Sequence, residues 1–234
     1  MTNFILVPGM WLGAWAWDAV AQVLRRDGHT VRAVTLGGVA ERAAEAAAAT
    51  LESHIADIVA AMNDLDDLDD LGDVVLVGHS YGGLPVRGAV ERLDGRVRRA
   101  VYVDSGPVPD GVAQADFTPG PPGTGDVPPP SFDPADDPAL FAGLEGRSAW
   151  IRERATAHPI GSVVQPLRLR STGQPPTDLI CSTLAKADVE GMIAAGHPFF
   201  AGLDRRDYRV LELPTGHWPM FSRPADLAAL LAGA

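Results

Sequence analysis

The residue best suited to covalent chemistry in this sequence is Ser80, which lies in the pentapeptide Gly78-His79-Ser80-Tyr81-Gly82. A serine between two glycines at this spacing can occupy a sharp strand-to-helix turn, where a strained backbone exposes the hydroxyl and the glycines relieve crowding. The same letters also occur in ordinary turns, so the pattern counts only between a strand and a helix. Residues 73–77 have strand composition, and residues 83–93 carry apolar positions at helical spacing. We therefore interpret Ser80 as a candidate nucleophile.

A serine hydroxyl needs a base that takes up its proton and a third group that orients the base. His217 is the leading base, because it follows the last predicted strand in a loop whose Pro214 and Gly216 can hold an imidazole over the strand ends. His197, between Gly196 and Pro198, is the rival base. His79 is next to the serine, but in this turn geometry its side chain points away from the hydroxyl.

Two aspartates compete for the role of the orienting acid. Asp104 ends the predicted strand 100–103, where a carboxylate beside buried strands needs a charged or hydrogen-bonding partner such as an imidazolium. Asp188 follows the next strand, but an acid in the first turn of a helix is also ordinary complementation of the helix dipole. The sequence favours Asp104 and leaves Asp188 open.

Charge that develops on a substrate oxygen needs preorganised donors, each worth about 3 kcal/mol of barrier. Backbone amides can supply them, and we expect one oxyanion donor from Tyr81, directly after the nucleophile. The second is expected from Met10, in the turn that follows the first strand. Gly9 in that turn permits close approach of a substrate.

Five tryptophans include several near these turns. We expect Trp11 and Trp218 to line a substrate pocket, because they neighbour the oxyanion turn and the base. Trp15 and Trp17 are expected to pack the first helix onto the sheet, which is the commoner role of tryptophan.

The elements that must position these residues alternate between strand and helix. Strands are predicted at residues 4–7, 30–34, 73–77, 100–103, 178–181 and 208–213, and helices at 15–27, 39–63, 83–93 and 224–231. Near-continuous apolar strands that alternate with helices predict an α/β fold with a mostly parallel sheet covered on both faces. In such sheets the functional crevice lies outside the carboxyl ends of the strands, where Ser80 would be.

One long insertion, residues 106–173, departs from this rhythm and is rich in Pro and Gly, most densely at residues 119–123 and 128–130. An insertion of this length between two sheet strands is typical of a lid or of a partly disordered linker. Side chains suited to burial, among them Phe132, Phe141 and Ile151, favour a lid. We expect a single domain over residues 1–234 that includes the lid.

Composition and net charge indicate which classes of binding partner suit this protein. The chain has 234 residues and a formal net charge of -11, and its 19 basic residues are scattered, which argues against nucleic acid and anionic membranes and favours a small-molecule partner. The single cysteine, Cys181, excludes an internal disulfide framework, and the acidic run 64–70 lacks the glycine and glutamate of a calcium loop. We expect no metal, no cofactor and a cytoplasmic location, since neither a leader nor an apolar run of spanning length is visible. A homodimer is compatible with the sequence.

Three segments together resemble the α/β-hydrolase superfamily: residues 7–15, the turn 78–83 and the pair Gly216-His217. The pattern Gly13-Ala14-Trp15-x-Trp17 is similar more narrowly to the branch of plant methyl esterases and hydroxynitrile lyases, with small bacterial esterase-like relatives. In that branch the lyases carry a threonine in the first-strand turn and a lysine after the catalytic histidine. This chain has Gly9 and Trp218 at those positions, so the resemblance implies ester hydrolysis rather than cyanohydrin cleavage.

The residues and the resemblance together predict a serine hydrolase of the carboxylesterase type. Its substrate would be a small, mostly apolar ester, thioester or lactone, cleaved through an acyl-Ser80 intermediate. Two alternatives stay open. One is a lyase or other cofactor-independent enzyme of the same fold that acts on a natural-product intermediate, and the other is a ligand-binding homologue without useful turnover.

Overall fold

A computed structural model describes residues 1–66, 73–93, 95–117, 123, 125–171, 173–204 and 207–234. Its sheet consists of β1 (Asn3–Val7), β2 (Thr30–Ala33), β3 (Val74–His79), β4 (Val97–Val103), β5 (Thr177–Cys181) and β6 (Tyr208–Glu212). The strands are ordered β2-β1-β3-β4-β5-β6, and all five pairings between them are parallel. The predicted parallel α/β sheet is confirmed.

Both faces of the sheet are buried, and β1 shows how its side chains divide. Phe4 and Leu6 belong to one hydrophobic cluster, whereas Ile5 and Val7 belong to the other. Successive side chains of a strand point to opposite faces, so each strand contributes side chains to both clusters. This explains why the strands read as continuous apolar runs rather than as alternating patterns.

Helices cover the two faces. In the described part of the chain they are α1 (Asp18–Arg26), α2 (Leu51–Asp66), α3 (Gly83–Arg92), α4 (Ser148–Arg154), α5 (Ile160–Val164), α6 (Lys186–Ala194), α7 (Pro219–Ser222) and α8 (Pro224–Ala232). Helices α1 and α8 pack together on one face, and α2 and α3 pack together on the other. None of the helices within these residues combines the length and the apolar character needed to cross a bilayer.

The Ala-rich helix predicted over residues 39–63 is wrong in its first part. Ala40–Ala48 forms 3-10 turns with a kink at Arg42, and the α-helix starts only after Thr50. The Thr50 hydroxyl accepts a hydrogen bond from the Ser53 amide (3.1 Å), and the Ser53 hydroxyl accepts one from the Thr50 amide (2.9 Å). This reciprocal cap defines the beginning of α2, which the high helix propensity of alanine had obscured.

The insertion, residues 106–173, connects β4 to β5 and packs onto the body of the molecule. Its side chains Phe132, Phe141 and Ile151 are buried in the same cluster as α1 and α8. Residues 118–122, 124 and 172 of the insertion lie outside the described residues, and so do residues 67–70 of the acidic run. The role of the insertion as a lid stays a prediction.

Candidate active site

Ser80 lies directly after β3, at the start of a 3-10 turn that leads into α3. Its φ of 50° is in the left-handed region, which is unusual for a residue with a side chain. The turn leaves no room for a side chain at either of the flanking glycines, Gly78 and Gly82. A Cβ on Gly78 would lie 2.7 Å from the Gly82 carbonyl oxygen, and a Cβ on Gly82 would lie 2.6 Å from the Pro8 carbonyl oxygen. The turn therefore has the strand-turn-helix geometry that the pentapeptide predicts.

A continuous chain of hydrogen bonds joins three side chains at the carboxyl edge of the sheet. His217 Nε2 lies 2.8 Å from Ser80 Oγ, and His217 Nδ1 lies 2.5 Å from Asp104 Oδ2. Because a carboxylate only accepts, Nδ1 carries the proton and donates to Asp104. Nε2 is then free to accept the hydroxyl proton of Ser80. Of the two histidines considered as bases, only His217 makes this contact.

The Asp104 carboxylate is held by β5 as well as by His217. It accepts hydrogen bonds from the Ser182 and Thr183 amides (both 3.0 Å) and from the Thr183 hydroxyl (2.9 Å). Burial raises the pKa of Asp104, but the hydrogen bond and electrostatic attraction of His217, together with the hydrogen bonds from the two amides, outweigh burial and lower the pKa to about 2. Asp104 is therefore a carboxylate at any pH at which the protein would be studied.

Asp188 lies elsewhere. It is in the first turn of α6, its side chain is exposed, and no hydrogen bond joins it to His217 among the described residues. This position matches the alternative interpretation of the sequence, in which Asp188 is a solvent-exposed carboxylate that complements the dipole of its helix.

His79, the residue before the nucleophile, holds the loop that carries His217. Its Nε2 donates to the His217 carbonyl oxygen at 2.6 Å, and the ring is fully buried. Burial, together with the adjacent His217 ring, lowers the pKa of His79 to about 3, so this imidazole is neutral. The insertion holds the same loop as well, because the His217 amide donates to the Leu140 carbonyl oxygen (2.8 Å). Neither anchor was visible in the sequence, since both join segments far apart in the chain.

The turn after β1 lies against the nucleophile. A Cβ on Gly9 would lie 3.1 Å from Ser80 Cβ and 2.8 Å from His79 Nδ1, so only glycine fits there. Met10 and Tyr81 are both buried next to this contact, in the same hydrophobic cluster. The structure thus places both predicted oxyanion residues at the carboxyl edge of the sheet beside Ser80.

The expectation that Trp218 lines a substrate pocket is wrong. Its side chain is 2% exposed, stacks on Phe141 with ring centroids 5.3 Å apart, and meets the edge of Phe132. The two phenylalanines come from the insertion and bury the indole, which then supports the His217 ring edge-on at 4.9 Å.

The other tryptophans divide as follows. Trp11 is half-buried, donates through Nε1 to the Val127 carbonyl oxygen (3.0 Å), and lines neither cavity described beside Ser80 and His217. Trp17 is fully buried against the sheet and Trp15 stacks on Phe221, as expected for residues that pack the first helices.

Two neighbouring cavities flank the Ser80–His217 pair. The smaller, about 150 Å³, is lined by Ser80 and Tyr81 together with apolar side chains: Leu84, Val108, Phe117 and Phe199. The larger, about 320 Å³, is lined by His217 and Asp104 and by residues of β5, the loop after it, α6 and the segment that follows α6: Cys181, Leu184, Met192, His197 and Phe199. Both walls are mainly apolar. Sequence analysis missed the apolar lining residues, because an apolar position such as Met192 on α6 looks the same in the sequence whether it faces a core or a cavity.

A larger cavity, about 810 Å³, lies beside Arg87 and Leu203. It contains none of the three hydrogen-bonded side chains, and acidic and basic residues share its rim. We locate the candidate active site at the smaller cavities, because position relative to the reactive groups matters more than volume.

Comparison with known proteins finds esterases among the relatives of this chain. The chain is 29% identical to a carbendazim hydrolyzing esterase from Nocardioides sp. (strain SG-4G), and the alignment covers 99% of each chain. It is 34% identical over 108 residues to methylesterase 10 of Arabidopsis thaliana, which covers 44% of this chain and 37% of that protein. The predicted resemblance to the plant methyl esterase branch is confirmed.

Solved structures show the same fold. An extracellular alpha/beta-hydrolase from a Paenibacillus species superposes with a TM-score of 0.78 at 21% identity, covering 100% of this chain and 99% of that chain. A methylesterase from Arabidopsis superposes with a TM-score of 0.74 at 20% identity, covering 100% and 98%. The model of the alpha/beta hydrolase family matches residues 4–230, which is nearly the whole sequence, and the chain therefore belongs to the alpha/beta hydrolase family.

Proposed function

We propose that the protein is a serine esterase that cleaves a small, mostly apolar ester through an acyl-Ser80 intermediate. The observation that carries the proposal is the continuous Ser80–His217–Asp104 chain of hydrogen bonds at the carboxyl edge of the sheet. Relatives named as esterases, one of them aligned over 99% of its length, support ester hydrolysis as the reaction type.

In the first half of this reaction Ser80 Oγ attacks the ester carbonyl carbon, and its proton moves to His217 Nε2. Asp104 keeps the proton of Nδ1 in place and stabilises the imidazolium that forms. The tetrahedral intermediate collapses when the carbon–oxygen bond to the alcohol breaks, and His217 returns its proton to the leaving oxygen. The products of this half are the alcohol and an acyl-Ser80 ester.

In the second half a water molecule gives its proton to His217 and attacks the acyl carbon. Breakage of the bond to Ser80 Oγ then releases the carboxylic acid, and the serine regains its proton from His217. In both halves the amides of Met10 and Tyr81 stabilise the negative oxygen, since that turn and Ser80 are in contact at Gly9.

The cavities support a small apolar substrate. Volumes of about 150 Å³ and about 320 Å³ beside the serine and the histidine suit a compact ester with an aliphatic or aryl arm on each side. No charged side chain other than Asp104, which is already bonded to His217, lines either cavity among the described residues. An ester without charged groups therefore fits this site best.

The test is the intact mass of the protein after reaction with a fluorophosphonate probe, with Ser80→Ala as its control. We expect one label on the wild type and none on the variant. A screen of p-nitrophenyl acetate, butyrate and benzoate should give turnover that is lost with Ser80. A wild type that is neither labelled nor active would overturn the proposal, and a wild type that is labelled at Ser80 but turns over none of these esters would favour a lyase of the same fold instead.

A further inference from the structure

Behind the oxyanion turn lies a buried group of polar side chains that the proposed reaction does not use. It consists of His54, Tyr81, His158 and Ser162, each of which is at most 1% exposed. The ring centroids of Tyr81 and His158 are 4.5 Å apart, and those of His54 and His158 are 5.8 Å apart. We name these four residues the histidine cluster.

The histidine cluster has one consistent arrangement of protons. His54 Nε2 lies 2.7 Å from the Gly37 carbonyl oxygen, which only accepts, so Nε2 carries the proton. Its Nδ1 then accepts from the Tyr81 hydroxyl at 2.8 Å. Burial lowers the pKa of His54 below its usual value, which keeps the ring in this neutral form.

His158 has the same tautomer for a similar reason. The Trp11 amide only donates, and it lies 3.4 Å from His158 Nδ1, which must therefore be the unprotonated nitrogen. Nε2 carries the proton and faces the Ser162 hydroxyl at 3.1 Å, and that hydroxyl donates to the Pro159 carbonyl oxygen at 2.9 Å. Each histidine thus presents an accepting Nδ1 to one residue of the oxyanion site.

The two residues that receive these contacts are Tyr81 and Trp11. Tyr81 contributes one proposed oxyanion amide, and Trp11 directly follows Met10, which contributes the other. Trp11 has φ 70°, a left-handed conformation that a large side chain adopts only when its surroundings hold it. Besides His158, the insertion provides the Thr156 amide, which donates to the Trp11 carbonyl oxygen (3.0 Å), and the Val127 carbonyl oxygen, which accepts from the indole.

We propose that the histidine cluster is a positioning device for the oxyanion hole: His158, supplied by the insertion, holds the Met10–Trp11 turn, and His54 holds Tyr81. The proposal rests on the proposed function. It assigns the insertion a direct part in transition-state stabilisation, because the insertion fixes the backbone that donates to the oxyanion. Neither histidine touches the substrate, so both are positioning residues.

A matched pair of variants separates positioning from simple packing. The amide oxygen of asparagine occupies the place of Nδ1, so His158→Asn can still accept from Trp11. The amide of glutamine occupies the place of Nε2, so His158→Gln keeps a partner for Ser162 and loses the acceptor. We expect His158→Gln to lower kcat on p-nitrophenyl acetate by about 10- to 100-fold with KM within threefold, since removal of a whole oxyanion donor costs about 100- to 1,000-fold. His158→Asn should stay within about threefold to fivefold of the wild type in kcat, because its acceptor remains in reach of the amide.

A second readout follows the oxyanion itself. An aryl trifluoromethyl ketone adds to Ser80 and forms a tetrahedral adduct that carries the oxyanion, so its inhibition constant should rise in His158→Gln by the same factor as kcat/KM falls. If both variants lose activity equally, or if the inhibition constant does not follow, the cluster acts through packing and the proposal is wrong.

A third measurement does not depend on activity or on a variant that folds. In ¹⁵N NMR spectra of the wild type, Nδ1 of His54 and of His158 should be unprotonated and Nε2 protonated at neutral pH. A proton on either Nδ1 would overturn the arrangement. Absence of fluorophosphonate labelling and of ester turnover, by contrast, would refute the proposed function while the NMR result still decided the protonation of the cluster.

Discussion

At the scale of single residues, Asp104 is the carboxylate in contact with His217 and Asp188 is not. Asp104→Asn should lower kcat on p-nitrophenyl acetate by up to about 10,000-fold, because an amide in that place favours the wrong tautomer of the histidine. Asp188→Asn is the matched control on an exposed helix, and we expect it to retain wild-type rates. Steady-state kinetics of the two variants decide the assignment, and comparable activity in both would contradict it.

His79 makes the stability of the protein sensitive to mild acid. Its pKa is about 3 in the folded protein and about 6.5 when unfolded, so the unfolded state binds more protons between these values. The free energy of unfolding therefore loses nothing from His79 above about pH 6.5. Below that pH it falls by about 1.4 kcal/mol per pH unit, as the pH drops toward 3. Asp104 has a pKa of about 2 in the folded protein, so its protonation lowers the stability of the protein only at pH values below about 4.

Urea unfolding at pH 7.5, 6.0 and 5.0 measures this dependence. His54 and His158 add to the slope in the same direction, because burial lowers their pKa values as well. His79→Gln should flatten the dependence between pH 6.5 and 5 relative to the wild type. A variant with an unchanged slope would show that His79 does not titrate differently in the two states.

At the scale of elements, two helical glycines have opposite surroundings. A Cβ on Gly88 of α3 would lie 2.4 Å from Ile55 Cδ1 of α2, whereas a Cβ on Gly191 of α6 would meet no atom within 4 Å. Gly88→Ala should lower the free energy of unfolding by about 1–3 kcal/mol, because the buried Ile55 side chain must shift to make room for the added methyl group. Gly191→Ala should raise it by about 0.5–1 kcal/mol through the lower backbone entropy of the unfolded chain.

Thermal and denaturant unfolding of this pair report on the contact between α2 and α3. The contact involves the helix that follows the nucleophile, since α3 begins three residues after Ser80. Stabilisation by both substitutions would show that the two helices are less closely packed than the glycine implies.

At the scale of the whole molecule, the insertion shares its core with the sheet. Ile151 of α4 is fully buried in the cluster that contains Phe4 and Leu6 of β1, whereas Val164 of α5 is 42% exposed. Ile151→Ala should therefore destabilise the entire chain by about 2–5 kcal/mol, and Val164→Ala should change its stability by less than about 0.5 kcal/mol.

The measurement is unfolding followed in parallel by near-ultraviolet circular dichroism and by far-ultraviolet circular dichroism. We expect one coincident transition in the wild type and in both variants, shifted markedly only in Ile151→Ala. Two separate transitions would mean that the insertion folds independently of the sheet.

Most of the fold follows from local patterns. The apolar runs predicted the strands to within one or two residues at most ends, and the pentapeptide around Ser80 predicted the strand-turn-helix geometry, because hydrophobic period and glycine spacing are local properties. The helix prediction for the Ala-rich segment was wrong for a local reason too. Its composition predicts one helix, while the Thr50–Ser53 cap and the kink at Arg42 divide it into two pieces.

The sequence by itself determined the α/β architecture, the strand ends at which chemistry is possible, and the candidates Ser80, His217, Asp104 and Asp188. Only the tertiary structure brought Asp104, and not Asp188, to within 2.5 Å of His217 Nδ1. It also buried Trp218 between two phenylalanines of the insertion and joined His54 and His158 to the oxyanion turn. The physical reason is the same in each case. These contacts join residues that are more than 25 positions apart, so they depend on packing between elements, which no periodicity along the chain records.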